Sequence, residues 1–274
     1  MKVFGLMLVK DEADIIQHCI SDALRWADAL YILDNGSTDG SWEILQRLRS
    51  DRVVPWKQDH SPYRRSMRAE IFNEFRSNAQ DGDWWFIADA DEFYPDNTRE
   101  FLATVPHHYR VVCKKSIDYF ITEEDIEEYE FTGDFTRDRD HIRYIEPNCW
   151  TECRFFRHRT RLRWDPSKKE QKQMPDHAGL FYPSLIPVRH YQYRSPKQMQ
   201  HRLDIRTQIP RDKIGQPFKH IKQTDWHELL RPRASLVLDP GPQGYSALGT
   251  RRTIKEKPLD RIVKLVLHGT GIYP

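Results

Sequence analysis

The sequence has no apolar run approaching the roughly 18 residues that a membrane-spanning helix needs, which excludes a chain threaded through a bilayer as helices. The apolar part of the opening segment, Met1 to Lys10, is too short for a secretory signal and lacks a small-residue cleavage site. A soluble, cytoplasmic protein is expected. Only four cysteines are present (Cys19, Cys113, Cys149 and Cys153), too few for a disulfide framework at this length. Cys149-x-x-x-Cys153 has the form of half a metal site without a second half, so buried thiols are expected. No repeat and no long low-complexity segment occurs. No RNP-like, zinc-finger or helix-turn-helix signature is found, which argues against a nucleic-acid partner. The first strand-like run is not followed by a Gly-rich phosphate loop, which a nucleotidyltransferase would want.

What is present is the composition of a folded chain. Of 274 residues, 38% are hydrophobic, 12% aromatic and 31% charged, enough to bury one large core or two intimate ones. The formal net charge of +2 conceals a division. Residues 1–106 carry 12 basic and 19 acidic side chains, a net of −7, and residues 107–153 carry a net of −6. Residues 154–274 carry 25 basic and 10 acidic side chains, a net of +15. Such a split suggests an anionic partner for the C-terminal part.

The first hundred residues alternate short apolar runs with helical spacing. Strands are expected at Val3–Val9, Ala29–Leu33, Val53–Trp56, Trp84–Ala88 and Tyr109–Cys113. Helices are expected at Glu12–Trp26, from Ser41 through Leu48, and at Arg64–Ala79. Continuous apolar strands between helices predict an α/β fold with a mostly parallel sheet covered on both faces. Three stretches of the chain are expected: a binding part over 1–115, a second part of the same domain over 116–231, and a basic tail over 232–274. In the second stretch, the acidic run Glu123–Glu130 and the mixed-charge segment Asp134–Arg143 read as a solvated surface excursion. Strands are expected at Thr151–Phe156 and Leu185–His190, and a helix at Lys197–Gln208 with Pro196 in its first turn. The tail holds an apolar stretch, Ile262–Leu267, in a basic setting.

In open parallel sheets, ligands bind beyond the carboxyl ends of the strands. Acidic clusters follow three of the expected strands: Lys10-Asp11-Glu12, Asp34-Asn35-Gly36-Ser37-Thr38-Asp39-Gly40, and Asp89-Ala90-Asp91-Glu92. Bringing this much like charge together is unfavourable unless a cation or a donor ligand sits among it. Asp89-x-Asp91 after an apolar strand has the form of a hard-cation site for Mg²⁺ or Mn²⁺.

These segments together resemble family-2 glycosyltransferases. Residues 34–40 are similar to that family's D-D-G-S-T-D-G segment, with Asn35 in place of the second Asp. Lys10-Asp11-Glu12 resembles its first turn, and Trp84 through Glu92 its strand ending in D-x-D. The resemblance implies a GT-A fold, a Rossmann-type nucleotide-binding sandwich with an irregular acceptor side. It also implies a hexosyltransferase-like activity: metal-dependent, inverting transfer from a nucleotide-sugar, a UDP-sugar by default, to a hydroxyl acceptor. By the same resemblance Asp34 accepts a hydrogen bond from the base, Asp39 orients its loop, and Glu12 lies near the nucleotide. Arg68 serves base and phosphates, with Arg64 and Arg65 as rivals. Asp89 lies near ribose and metal, Asp91 ligates the metal, and His190 resembles the late metal-ligand histidine.

For the catalytic base, Glu152, Asp165 and Asp176 are candidates, Glu152 first because it begins a strand. Arg154, Arg157 or Lys168 could hold a diphosphate. The acceptor is expected to be a saccharide or lipid-linked glycan, with peripheral contact to an anionic membrane. A non-catalytic nucleotide-sugar- or glycan-binding module on the same fold is the alternative.

Overall fold

The structure is a computed structural model that describes residues 1–64, 66–167, 174–207, 222–251 and 256–274. The chain divides into two compact units, one of residues 1–116, 150–188 and 252–274, the other of 117–149 and 189–251.

The first unit opens with β1 (Val3–Val9), α1 (Ile16–Ala23), β2 (Ala29–Asp34), α2 (Ser41–Arg47), β3 (Val53–Gln58), α3 (Met67–Phe75) and β4 (Trp84–Asp89). A short β5 (Glu92–Phe93), α4 (Thr98–Thr104) and the long β6 (Tyr109–Phe120) follow. β1 pairs in parallel with β2 and β4, and β2 with β3. The sheet then continues through β8 (Asn148–Arg157), antiparallel to both β4 and β6. Beyond the parallel core, the apolar run at Tyr109–Cys113 is therefore the start of a longer, antiparallel strand.

Period-two alternation divides the strands between two cores. Val3, Met7, Leu30, Ile32, Trp84 and Phe86 point to one face, where Ile16 and Ile20 of α1 and Leu45 of α2 cover them. Phe4, Leu6, Tyr31, Leu33, Trp85 and Ile87 point to the other, under Met67, Ile71 and Phe72 of α3. This double cover is what fully apolar parallel strands require. At the centre, a Cβ on Gly5 would lie 2.4 Å from Leu30 Cδ2 and 2.8 Å from Phe86 Cζ, so only glycine fits there.

Cys113 and Cys153 are direct partners across β6 and β8 and are joined as a disulfide. This corrects the expectation of four thiols. The pairing depends on strand register between residues 40 apart, which spacing along the chain does not reveal. Cys19 and Cys149 are buried and outside the disulfide.

The second unit holds α5 (Glu123–Glu128), α6 (Phe135–Asp138), β7 (Tyr144–Ile145) and, after β9 (Leu180–His190), α7 (Pro196–Thr207), β10 (Val237–Leu238) and β11 (Gly249–Thr250). The acidic run is thus a helix, with a reciprocal cap between Thr122 and Asp125. Arg233 fastens it, donating to Asp125 at 2.7 Å and to Glu128 at 2.5 Å. The last helix, α8 (Pro258–Gly269), belongs to the first unit. Gln208, expected at the end of a helix, lies outside the described residues.

Candidate functional site

Parallel register brings the acidic clusters to one edge of the sheet. Asp34 is opposite Val9, and Asp89 is opposite Leu8, so the two carboxylates end their strands one residue apart in register. Backbone and side-chain bonds tie the first two turns together. Asp39 Oδ2 accepts from the Ala13 amide at 2.9 Å, and its Oδ1 accepts from the amide and hydroxyl of Ser41. The Ser41 hydroxyl in turn accepts from the Glu12 amide at 2.8 Å. Asp11, at φ 52°, accepts from the Thr38 amide at 2.6 Å.

Asp34 has no solvent exposure. Its Oδ1 accepts from the Ser37 amide at 2.8 Å and from Gln58 Nε2 at 3.1 Å. Its Oδ2 is buried and has no hydrogen-bond partner among the described residues. A buried carboxylate oxygen without a donor is costly, and a ligand N–H would satisfy it.

At the end of β4 the situation is reversed. Asp89 Oδ1 accepts from Arg68 Nη2 at 2.7 Å, and its Oδ2 accepts from Arg154 Nη2. Arg154 also donates to Glu92 at 2.9 Å and pairs with Glu152 at 3.0 Å. Lys114 donates to Glu92, and the Tyr94 hydroxyl donates to the other oxygen of Glu92 at 2.8 Å. Arg68, Arg154, Lys114 and Glu92 are buried, whereas the side chains of Asp89 and Glu152 keep 27% and 21% of their exposure. The network therefore shows two carboxylates to solvent. Burial raises the Asp89 carboxyl, but Arg154 and Arg68 more than offset this and hold it well below the usual carboxylate range. Burial opposes the charge on Arg68, yet Tyr63 and Asp89 outweigh it and the guanidinium is held charged.

Asp91 is buried and close enough to Asp89 to oppose its ionisation. A cation that bridges substrate phosphates needs only one or two protein carboxylates. Asp89 and Asp91 are the carboxylates that this turn offers, and Asp89 already accepts from two arginines. Among the described residues, no three His, Cys, Asp or Glu side chains form a metal-holding group. His190 lies in the second unit, where its Nδ1 is 2.7 Å from Asp118 Oδ1.

Of the other candidates, Arg64 pairs with Asp59 and Glu70. Arg157 sits at the opposite end of β4, 4.6 Å over the Trp84 ring. Asp165 accepts from Ser167 in a local turn, and Asp176 lies in the turn before β9. Arg65 and Lys168 lie outside the described residues. Lys114 and Tyr94 are not among the residues the sequence points to, and Arg154 is there only as one diphosphate candidate among three. For Lys114 and Arg154 the signal is a charge inside an apolar strand, as in Val111-Val112-Cys113-Lys114 and Cys153-Arg154-Phe155-Phe156.

An α/β sandwich with carboxylates gathered beyond its parallel strands has the form of a nucleotide-binding fold. A family model described as glycosyl transferase family 2 matches residues 6–161, and the chain belongs to that family. Over 87 residues it is 31% identical to a TPR repeat-containing protein of Synechococcus elongatus, covering 31% of this chain and 19% of that protein. The chain thus spans about a fifth of the length of that curated relative.

Among solved structures it is similar to S. aureus TarS 1–349, at 10% identity and a TM-score of 0.41, over 75% of this chain and 64% of that one. It is also similar to the TarS complex with UDP, at 13% identity and a TM-score of 0.32, over 44% and 36% of the two chains. For the TarS complex with UDP-GlcNAc the values are 14% identity and a TM-score of 0.31, over 44% and 35%.

Proposed function

We propose that the chain is a glycosyltransferase that takes a sugar from a nucleotide-sugar, a UDP-sugar by default, and passes it to a hydroxyl of a saccharide or lipid-linked glycan. The observation that carries this reading is the unpartnered Oδ2 of Asp34 at the carboxyl end of β2. A nucleobase N–H is the donor that would complete it. Asp39 and Glu12 hold the adjoining turns in place for the nucleotide. Arg68 and Arg154 fix Asp89 in its ionised form, so that it can accept a hydroxyl of the donor.

A divalent cation, Mn²⁺ or Mg²⁺, would be held at Asp91 and would offset the charge of the departing diphosphate. Glu152, part-exposed beside Arg154, is the proposed base that takes the proton of the acceptor hydroxyl. Attack from the face opposite the diphosphate inverts the anomeric carbon.

A second reading, a binding module without turnover, is favoured by the ion pair that holds Glu152 to Arg154. A screen of nucleotide-sugars for thermal stabilisation, with and without Mn²⁺, tests donor binding. Mn²⁺-dependent donor hydrolysis then separates enzyme from module.

This reading includes a cytoplasmic location at the edge of an anionic membrane. Among the described residues, no helix is long and apolar enough to cross a membrane. The Cys113–Cys153 disulfide weighs against a reducing compartment. Four titratable thiols in the protein as extracted from its native cells are expected of that location, and two would count against it.

A further inference from the structure

Helix α8 is inside out. Arg261, Lys264 and His268, spaced as one helical face, make their contacts with the protein body, Arg261 while remaining exposed. Arg261 donates to the Tyr109 hydroxyl. Lys264 donates to the Gly179 carbonyl at 3.3 Å and lies 4.7 Å over the Phe181 ring. His268 Nδ1 is 3.0 Å from Arg110 Nη1 and 2.8 Å from the Pro274 carbonyl oxygen.

The opposite face is Leu259, Ile262, Val263 and Val266, and these are 71%, 59%, 46% and 55% exposed. A surface helix ordinarily buries its apolar stripe and shows its charges. Here the charges anchor and the stripe is presented.

We propose that this stripe docks on an anionic lipid surface, with the four aliphatic side chains entering the boundary between headgroups and acyl chains. Two observations favour lipid over a second copy of the chain. A standard protein interface takes about 800 Å² from each partner, and one three-turn helix with four aliphatic side chains offers much less. Interfacial insertion needs only a short apolar strip backed by basic residues. Those residues are at both ends: Lys257, exposed, is the N-cap, and Arg161, exposed, donates to the Gly271 carbonyl at 2.8 Å. They belong to the segment of net charge +15.

The inference rests on the reading that the acceptor side works at a membrane, and its test is separable from donor binding. The full chain is sedimented with vesicles of phosphatidylcholine alone and with vesicles containing phosphatidylserine, at low and high salt. Binding is expected to the anionic vesicles and to fall with salt. Ile262→Asp/Val266→Asp is expected to lower vesicle partition at least tenfold, with melting temperature and UDP binding unchanged. These side chains face away from the body, so the fold has no need of them.

No binding to anionic vesicles at low salt overturns the inference while leaving UDP binding intact. So does a chain dimer in solution that the same substitutions dissociate. Vesicle binding without UDP binding would instead overturn the donor reading alone.

Discussion

The ends of β2 and β4 stand side by side across β1, yet they treat their carboxylates in opposite ways. At β2, Asp34 is wholly buried and keeps one oxygen without a donor. At β4, Asp89 is part-exposed and each oxygen accepts from a guanidinium. The first arrangement leaves one oxygen without a hydrogen bond among the described residues. The second compensates charge within the protein and leaves the carboxylate rigid. On the proposed reading, recognition and electrostatic support fall to different strands of one sheet edge. The gathering of acid at that edge, unfavourable by itself, is tolerable because Arg68, Arg154 and Lys114 are buried among it.

The largest effect should come from breaking the β4 side. Arg154→Met leaves Asp89, Glu92 and Glu152 short of a cation in a buried setting, and removing one partner of such a network costs about 3–5 kcal/mol. Urea unfolding measures it. A loss below about 1 kcal/mol, the scale of exposed pairs, would erase the contrast between the two ends.

Next is the neighbouring Asp91. Mn²⁺ should tighten UDP binding about tenfold in the parent, roughly 1.4 kcal/mol, and should not do so in Asp91→Asn. Equal tightening in both would move the cation elsewhere.

A smaller effect is expected on the β2 side from Asp39→Ala. It removes the carboxylate that joins the first two turns, at a cost of about 1 kcal/mol by thermal or urea unfolding.

The smallest concerns pH. The folded Asp89 carboxyl lies below its unfolded value of about 3.9. The stability it contributes is therefore complete above that pH and is lost as pH falls through the lower folded value. The difference in unfolding free energy between the parent and Asp89→Asn should be flat from pH 7 to 5 and shrink only below about pH 4. A difference already shrinking between pH 7 and 5 would mean that Asp89 is not held low.

How much of this was legible follows from where the determinants lie. The parallel core was readable, because Val3–Val9, Ala29–Leu33 and Trp84–Ala88 are apolar runs, each followed by an acidic cluster. The partners of those acids were not. Arg154 is 65 residues from Asp89, and only the antiparallel entry of β8 beside β4 brings them together. The same register pairs Cys113 with Cys153.

The acidic run after β6 looked solvated because its neutralising residue, Arg233, is 108 residues from Asp125. The apolar stretch 262–267 was visible in the sequence. That it faces outward was not, since its anchors Tyr109 and Arg110 come from β6.

The central claim is that Asp34 waits for a nucleobase, and calorimetric titration of UDP into the parent and Asp34→Asn tests it most directly. A hydrogen bond to a charged group contributes about 1.5–3 kcal/mol, so the variant should bind UDP at least tenfold more weakly with its melting temperature unchanged. Equal affinity in the two proteins would contradict the account.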